Sequence, residues 1–358
     1  MSIPRLRINR DFALAFLVVI FVTVALGLVY GLGILNYLIA GFRVGAIYVL
    51  GATGLTLVYS VRKFANFAHG DIMTFGAYIA YLVNVGWRMN ILWGLGLAVV
   101  LAALVGVVME LLVFRKLANR GPVQNLVASI GITLILQNAV KAAFGTEIHT
   151  YNVLPVQDVP LLRLTPTQFV SINLLRDVLP ISVSLVLIVA LHLLLTRTTL
   201  GKAMRATSDN PDLARASGIN TRNVILWTWA ISGGMAAVAG LLLAVVTDVR
   251  TSLGFDVLLF LFAAAIIGGI GSAYGAMVGG FLVGIAQQLG VAFLAWLGRP
   301  DVLRIDQATA YSPVVAFVIM IVVLILRPEG LGSGRVTGMG RGGARFALLR
   351  VLRRRAPE

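Results

Sequence analysis

Long apolar runs alternate with short polar segments along the whole chain. Ten runs stand out: 12–32, 35–59, 72–86, 91–114, 122–144, 178–196, 224–247, 256–271, 274–298 and 311–326. A helix that crosses the hydrocarbon core needs about 20 mainly apolar residues. Most of the ten reach or approach that length, while 72–86 and 256–271 fall short. The pattern predicts an all-α polytopic membrane protein with about ten transmembrane helices. The first run is long for the apolar part of a signal peptide and lacks a small-x-small cleavage site, so it reads as a retained span.

Two polar interruptions are longer than the rest. Gly145–Asp177 holds Pro155, Pro160 and Pro166 together with Glu147, Asp158 and Asp177. It is too polar to span a membrane and too short for a domain. The other interruption, 197–223, contains a capped island, Ala206–Gly218. Asp209 or Asn210 suits the N-cap, Pro211 the first helical position and Gly218 the C-terminal stop. The enclosed helix is barely two turns, too short to hold alone. It either docks on a partner surface or stiffens a connection.

Composition sharpens the solvent argument. Hydrophobic residues make up 59% of the chain and charged residues 12%, against roughly half and a quarter in soluble domains. The absence of cysteine excludes disulfides and thiolate chemistry. A net charge of +15 could signal nucleic acid, but the charge is localised at the ends of the apolar runs. With the N-terminus inside, 21 of the 29 basic residues fall on the cytoplasmic side. That bias predicts both termini inside and an even number of spans, and it argues against nucleic acid as a partner. The arginines of 344–355 suit either an amphipathic helix on anionic lipid or a disordered tail that enforces topology.

Enzyme motifs are absent: there is no HExxH, no GxSxG and no P-loop. Any ATP-driven step therefore needs its nucleotide site on another chain, and no cofactor is expected on this one. Glu110 reads as an interfacial charge with Arg115 and Lys116 close by in sequence. Asn66–Asp71 follows Arg62 and Lys63. Asn66 suits a helix start, and Asp71 suits the positive end of the helix that follows. His69 is either a hydrogen-bonded structural residue or a pathway group, and a lone histidine makes no metal site. Ser129, Thr133 and Gln137 recur every fourth residue and form one polar stripe, with Asn138 beside it. A stripe facing lipid would be costly, so it faces protein or a pathway. Gly268, Gly269 and Gly271 suit a broken helix or a tight crossing. Gln287 reads as helix glue or as lining. Gly41 and Gly45, with Gly275, Gly279, Gly280 and Gly284, suit close helix contact.

Six stretches, in order, carry a family resemblance. They are Gly41–Tyr59, Asn66–Asp71, Ser129–Asn138, the loop with Arg205 and Ala216–Asn220, Ala265–Ala276, and Arg327–Leu331. The chain resembles the integral-membrane permease subunits of bacterial branched-chain amino acid ABC importers. The resemblance implies an ABC importer permease bundle in the bacterial cytoplasmic membrane, paired with a second permease subunit. Two cytoplasmic ATPases and an external substrate-binding protein are the other implied partners. Residues 1–33 would be a leader plus an added span, 34–331 the permease core, and 332–358 a basic cytoplasmic tail. Under this reading Asn66, His69, Ser129, Thr133, Gln137, Asn138, Gly268, Gly269, Gly271 and Gln287 belong to the substrate pathway. Arg205, Asp209, Pro211, Ala214, Gly218, Ile219 and Asn220 belong to the element that couples to an ATPase. Arg43 departs from the family pattern, where a small or apolar residue is usual. A related importer for urea or short amides is the alternative. A free-standing secondary transporter is disfavoured, because it would leave the capped island without a purpose.

Overall fold

The computed structural model describes residues 10–118, 120–153, 156–163, 169–299, 302 and 311–326. The leader before residue 10, the motif Arg327–Leu331 and the basic tail lie outside the described residues. Each of the ten apolar runs is occupied by helix. In chain order the long elements are α1 (Arg10–Tyr30), α2 (Ile34–Arg62), α3 (Ala68–Tyr81), α4 (Ile91–Met109), α5 (Pro122–Phe144) and α6 (Leu179–Arg197). The short helices α7 (Thr199–Asp209) and α8 (Pro211–Ala216) follow. Then come α9 (Thr221–Val246), α10 (Leu253–Gly268), α11 (Ala273–Leu297) and α12 (Ser312–Leu326). Among the described residues, six helical stretches are long and apolar enough to cross a membrane. One of the six, Leu17–Arg62, runs through both α1 and α2.

The core is a set of helices with no free face. Every residue of α2 from Gly45 to Val58 is buried, as is every residue of α9 from Ser232 to Ala244. A helix that is apolar all round belongs inside a bundle. Around α2, α3 and α9 sit α4 and α5 on one side and α10, α11 and α6 on the other. The longest seam joins α2 to α11. It closes because Gly41 and Gly45 meet Gly280 and Gly284 with almost no space between the backbones. Lipid offers no hydrophobic drive for helix association, so dense packing of this kind must supply it.

The polar segment Gly145–Asp177 carries folded elements of its own. Val159–Arg163 (β1) pairs antiparallel with Phe169–Ile172 (β2), leading into a short π-helical turn at Leu174–Val178. The segment is tied down at both ends. Tyr151 donates to the Ala77 carbonyl at 3.0 Å, and burial raises this phenol above its ordinary pKa, so it remains a donor. At the other end Arg43 Nη1 donates to Asp177 Oδ1 at 2.5 Å. Asp177 Oδ2 accepts from the Asn173 amide at 2.7 Å. Arg43 therefore fastens this segment to α2.

The α2–α11 seam gives a prediction with a sign. Alanine favours a helix over glycine by about 1 kcal/mol. A Cβ at Gly284 would lie 2.3 Å from the Gly45 Cα, whereas one at Gly96 meets nothing within 4 Å. Gly284→Ala is therefore expected to lower the thermal unfolding midpoint in detergent, by an overpacking cost of about 1–3 kcal/mol. Gly96→Ala leaves the midpoint unchanged or raises it.

Candidate functional site

The stretch Asn66–Asp71 forms the start of α3, and it does so deep in the bundle. His69 Nε2 lies 2.9 Å from the Gly51 carbonyl. A carbonyl only accepts, so Nε2 carries the proton. Gly51 stands eleven residues before the end of α2, about 16 Å back along its axis. The connector 63–67 thus re-enters the bundle before the helix begins. Asn66 Oδ1 accepts from the Ala68 amide at 3.2 Å and helps to start the helix. Asn66, His69 and Asp71 are all buried.

The polar stripe of α5 packs on this helix start. The Phe67 amide donates to Ser129 Oγ at 3.1 Å. Ser129 and Thr133 are buried, and Thr133 and Gln137 face the Asp71 carboxylate, with Lys141 close enough to attract it. The stripe therefore faces protein, and its opposite number is Asp71. The sequence placed Asp71 at a helix start but gave no partner for it. The pairing depends on which face of α5 meets α3, and no local pattern encodes that. Asn138 lies apart, exposed on the other face, where it donates to the Leu134 carbonyl of its own helix.

The remaining pathway candidates sit elsewhere. Gly268, Gly269 and Gly271 make the turn between α10 and α11, where Gly269 and Gly271 adopt φ of 98° and 91°. A side chain is strained there. Gly271 faces Tyr59 near the end of α2, away from the α3–α5 contact. Gln287 Oε1 accepts from the Tyr48 hydroxyl at 2.8 Å, which makes it part of the α2–α11 seam.

The capped island is present and larger than the sequence suggested. Asn210, not Asp209, is the N-cap of α8, its Oδ1 accepting from the Asp212 and Leu213 amides at 3.0 Å each. Pro211 takes the first turn, and Gly218 ends the element at φ 84°. Ala214 is buried while Leu213 is 64% exposed. Ahead of α8 stands α7, capped by Thr198 through a bond from the Gly201 amide at 3.0 Å. Arg205 is exposed on α7, and Asp209 is its last residue. Ile219 is half-buried, and Asn220 caps α9 instead of belonging to α8. The α7 end docks on the end of α2: Ser208 Oγ donates to the Ser60 carbonyl at 3.2 Å, and Asp209 attracts Lys63.

Beside this junction Glu110 is 2% exposed, yet its partner is Arg62 and not the neighbouring Arg115 or Lys116. Arg62 Nε donates to Oε2 at 3.0 Å and Nη2 donates to Oε1, a two-pronged pair. It clamps the end of α2 to the end of α4. Among the described residues no group of His, Cys, Asp or Glu could hold a metal ion.

Comparison with known proteins adds a decisive match. The family described as "Branched-chain amino acid transport system / permease component" matches residues 37–324. The chain belongs to this family. Relatives include the high-affinity branched-chain amino acid transport system permease protein LivH of Escherichia coli, 32% identical over 83% of this chain and 94% of its own. BraD of Pseudomonas aeruginosa is 32% identical over 83% of this chain and 95% of its own. The autoinducer 2 import system permease protein LsrC of Yersinia enterocolitica is more distant, 28% identical over 68% of this chain and 64% of its own. Like them, this chain is a transport subunit of a membrane importer and not an enzyme.

The Arg62–Glu110 clamp yields a measurable consequence. Glu110→Ala strands a buried guanidinium and is expected to cost about 3–5 kcal/mol. The double variant Arg62→Leu/Glu110→Leu should recover most of that loss, read as thermal midpoints of the purified permease.

Proposed function

We propose that the chain is the membrane-spanning permease subunit of an ATP-driven importer that carries branched-chain or other hydrophobic amino acids inward by alternating access. The single observation that carries this reading is the family match across residues 37–324. The permease acts with ATPase subunits and an external binding protein, and it pairs with a second permease subunit. Ten crossings with both termini inside agree with the charge bias and with helix at every apolar run.

In this mechanism α8 is the coupling element. Its Leu213 side chain points outward while Ala214 anchors the helix to the bundle. An exposed leucine on a two-turn helix suits an apolar socket on an ATPase. Movement of α8 reaches α2 through α7, by way of the Ser208–Ser60 bond and the Asp209–Lys63 attraction. From there the short connector 63–67 leads to Asn66, His69 and the stripe of Ser129, Thr133 and Gln137, which we assign to the pathway. The polar substrate ends meet this stripe, and the apolar side chain needs no charged pocket.

The coupling role has a direct test. Leu213→Glu changes only an exposed side chain, so the permease should still fold and insert. ATP-dependent leucine uptake in proteoliposomes holding the complete importer should fall at least about tenfold, the worth of one buried apolar anchor. Uptake equal to that of the unaltered chain would remove α8 from the coupling path.

A further inference from the structure

Asp71 is, among the described residues, the one buried carboxylate with both oxygens open. It is 1% exposed, and Thr133 and Gln137, which face it, do not close to full hydrogen-bond geometry on either carboxylate oxygen. Thr133 Oγ1 beside it is also buried and unpartnered. A bare carboxylate away from water is costly, and such residues inside membranes persist where a function holds them. Asp71 sits in the first turn of α3, whose positive end favours the anion. Lys141 attracts the carboxylate without closing an ion pair on it, so both oxygens stay open to a cation brought by a ligand. A small metal ion needs several more oxygens than one carboxylate, one hydroxyl and one amide provide. A primary ammonium needs only three acceptors, which matches this set.

Lys141 completes the pattern. Thr133, Gln137 and Lys141 share one face of α5 at successive turns, so Lys141 stands about 6 Å along the axis from Gln137. A buried anion, with an ammonium one turn beyond its Gln137 neighbour, complements the two adjacent charges of an α-amino acid. We propose that Asp71, with Thr133 and Gln137, receives the α-ammonium group of the transported amino acid, and that Lys141 draws its carboxylate along the same stripe.

This proposal rests on the amino-acid importer reading above and assigns the residue that recognises the substrate's positive end. The niche is closed in this structure, and α5 is the helix placed to open it. It packs chiefly on α3. Its outer face, with Val127, Ile130, Leu134 and Ile135, is exposed. Separation of α5 from α3 would uncover Asp71 without breaking the α2–α11 seam.

The experiment uses the complete importer in proteoliposomes, with L-leucine as probe. The unaltered complex must take up leucine with ATP; if it does not, the importer reading itself fails. Given that uptake, Asp71→Asn should reduce it by about tenfold to a hundredfold, the worth of one charge-assisted hydrogen bond. Asp71→Glu keeps the charge and should retain most of it. Co-purification of the ATPase subunits in normal amount shows that each variant has assembled. If Asp71→Asn fails to assemble, Thr133→Val and Gln137→Leu decide the matter, and normal leucine uptake by both overturns the proposal. A purely structural role is separated by labelling. The chain has no cysteine, so Gln137→Cys places a single thiol in the niche. Leucine presented on the binding protein during turnover should slow its reaction with a maleimide when Asp71 is present and not in the Asp71→Asn background. Uptake by Asp71→Asn within about twofold of normal, or labelling indifferent to leucine with Asp71 in place, overturns the proposal.

Discussion

Close approach of helix backbones is the constraint on which this bundle rests. Helices inside a bilayer gain little from hiding apolar surface, because lipid is as apolar as the neighbouring helix. Association must come from contact density, and contact density from small residues. Glycines at the α2–α11 seam let two backbones touch, and α3 meets α10 the same way, where a Cβ at Gly254 would stand 1.8 Å from the Gly70 carbonyl oxygen. These contacts hold the start of α3 deep in the core. Without them Asn66, His69 and Asp71 would have no dry interior to enter.

That interior explains an apparent contradiction. The same core that excludes water also encloses polar atoms without partners, including His69 Nδ1, Asn66 Nδ2 and both Asp71 oxygens. Other buried polar groups are closed, as in Ser232 to the Gly54 carbonyl at 2.7 Å and Tyr48 to Gln287, while Thr53, Tyr78 and Trp229 also hold open atoms. The α3 start differs in that both oxygens of one carboxylate are among the open atoms. Arg62–Glu110 shows the alternative, a buried charge pair fully closed, at the junction where rigidity is useful.

The helical runs were legible because a membrane imposes a length and a composition that few other contexts produce. The cap signals at Asn210, Pro211 and Gly218 were legible because they act within one turn. Three features were not. The hairpin β1–β2 lay in a proline-rich segment whose pairing has no periodic signature. Helix α7 was missed because its polar sequence, Thr199–Asp209, earns its helicity from docking on α6, α9 and the end of α2. The partners of Arg43 and Glu110 were missed because ion pairs across 134 and 48 residues of chain follow from the fold, not from spacing. Asp71 belongs with these: its neighbours on α5 are set by which way that helix turns.

The connector 63–67 has a mechanical meaning. It is held near α7 at Lys63 and on α5 at Phe67, and five extended residues reach only about 17 Å. So short a strap has little slack to absorb a displacement. A shift of the α7 end by a few ångströms has two outlets, rotation at Lys63 or travel of the α3 start. Lys63 already holds a left-handed φ of 55°, an unusual state for a side-chain-bearing residue. The strap thus resembles a tendon with one toggle in it, and under the coupling proposed above the toggle would decide whether motion of α8 arrives at the buried carboxylate or is lost on the way.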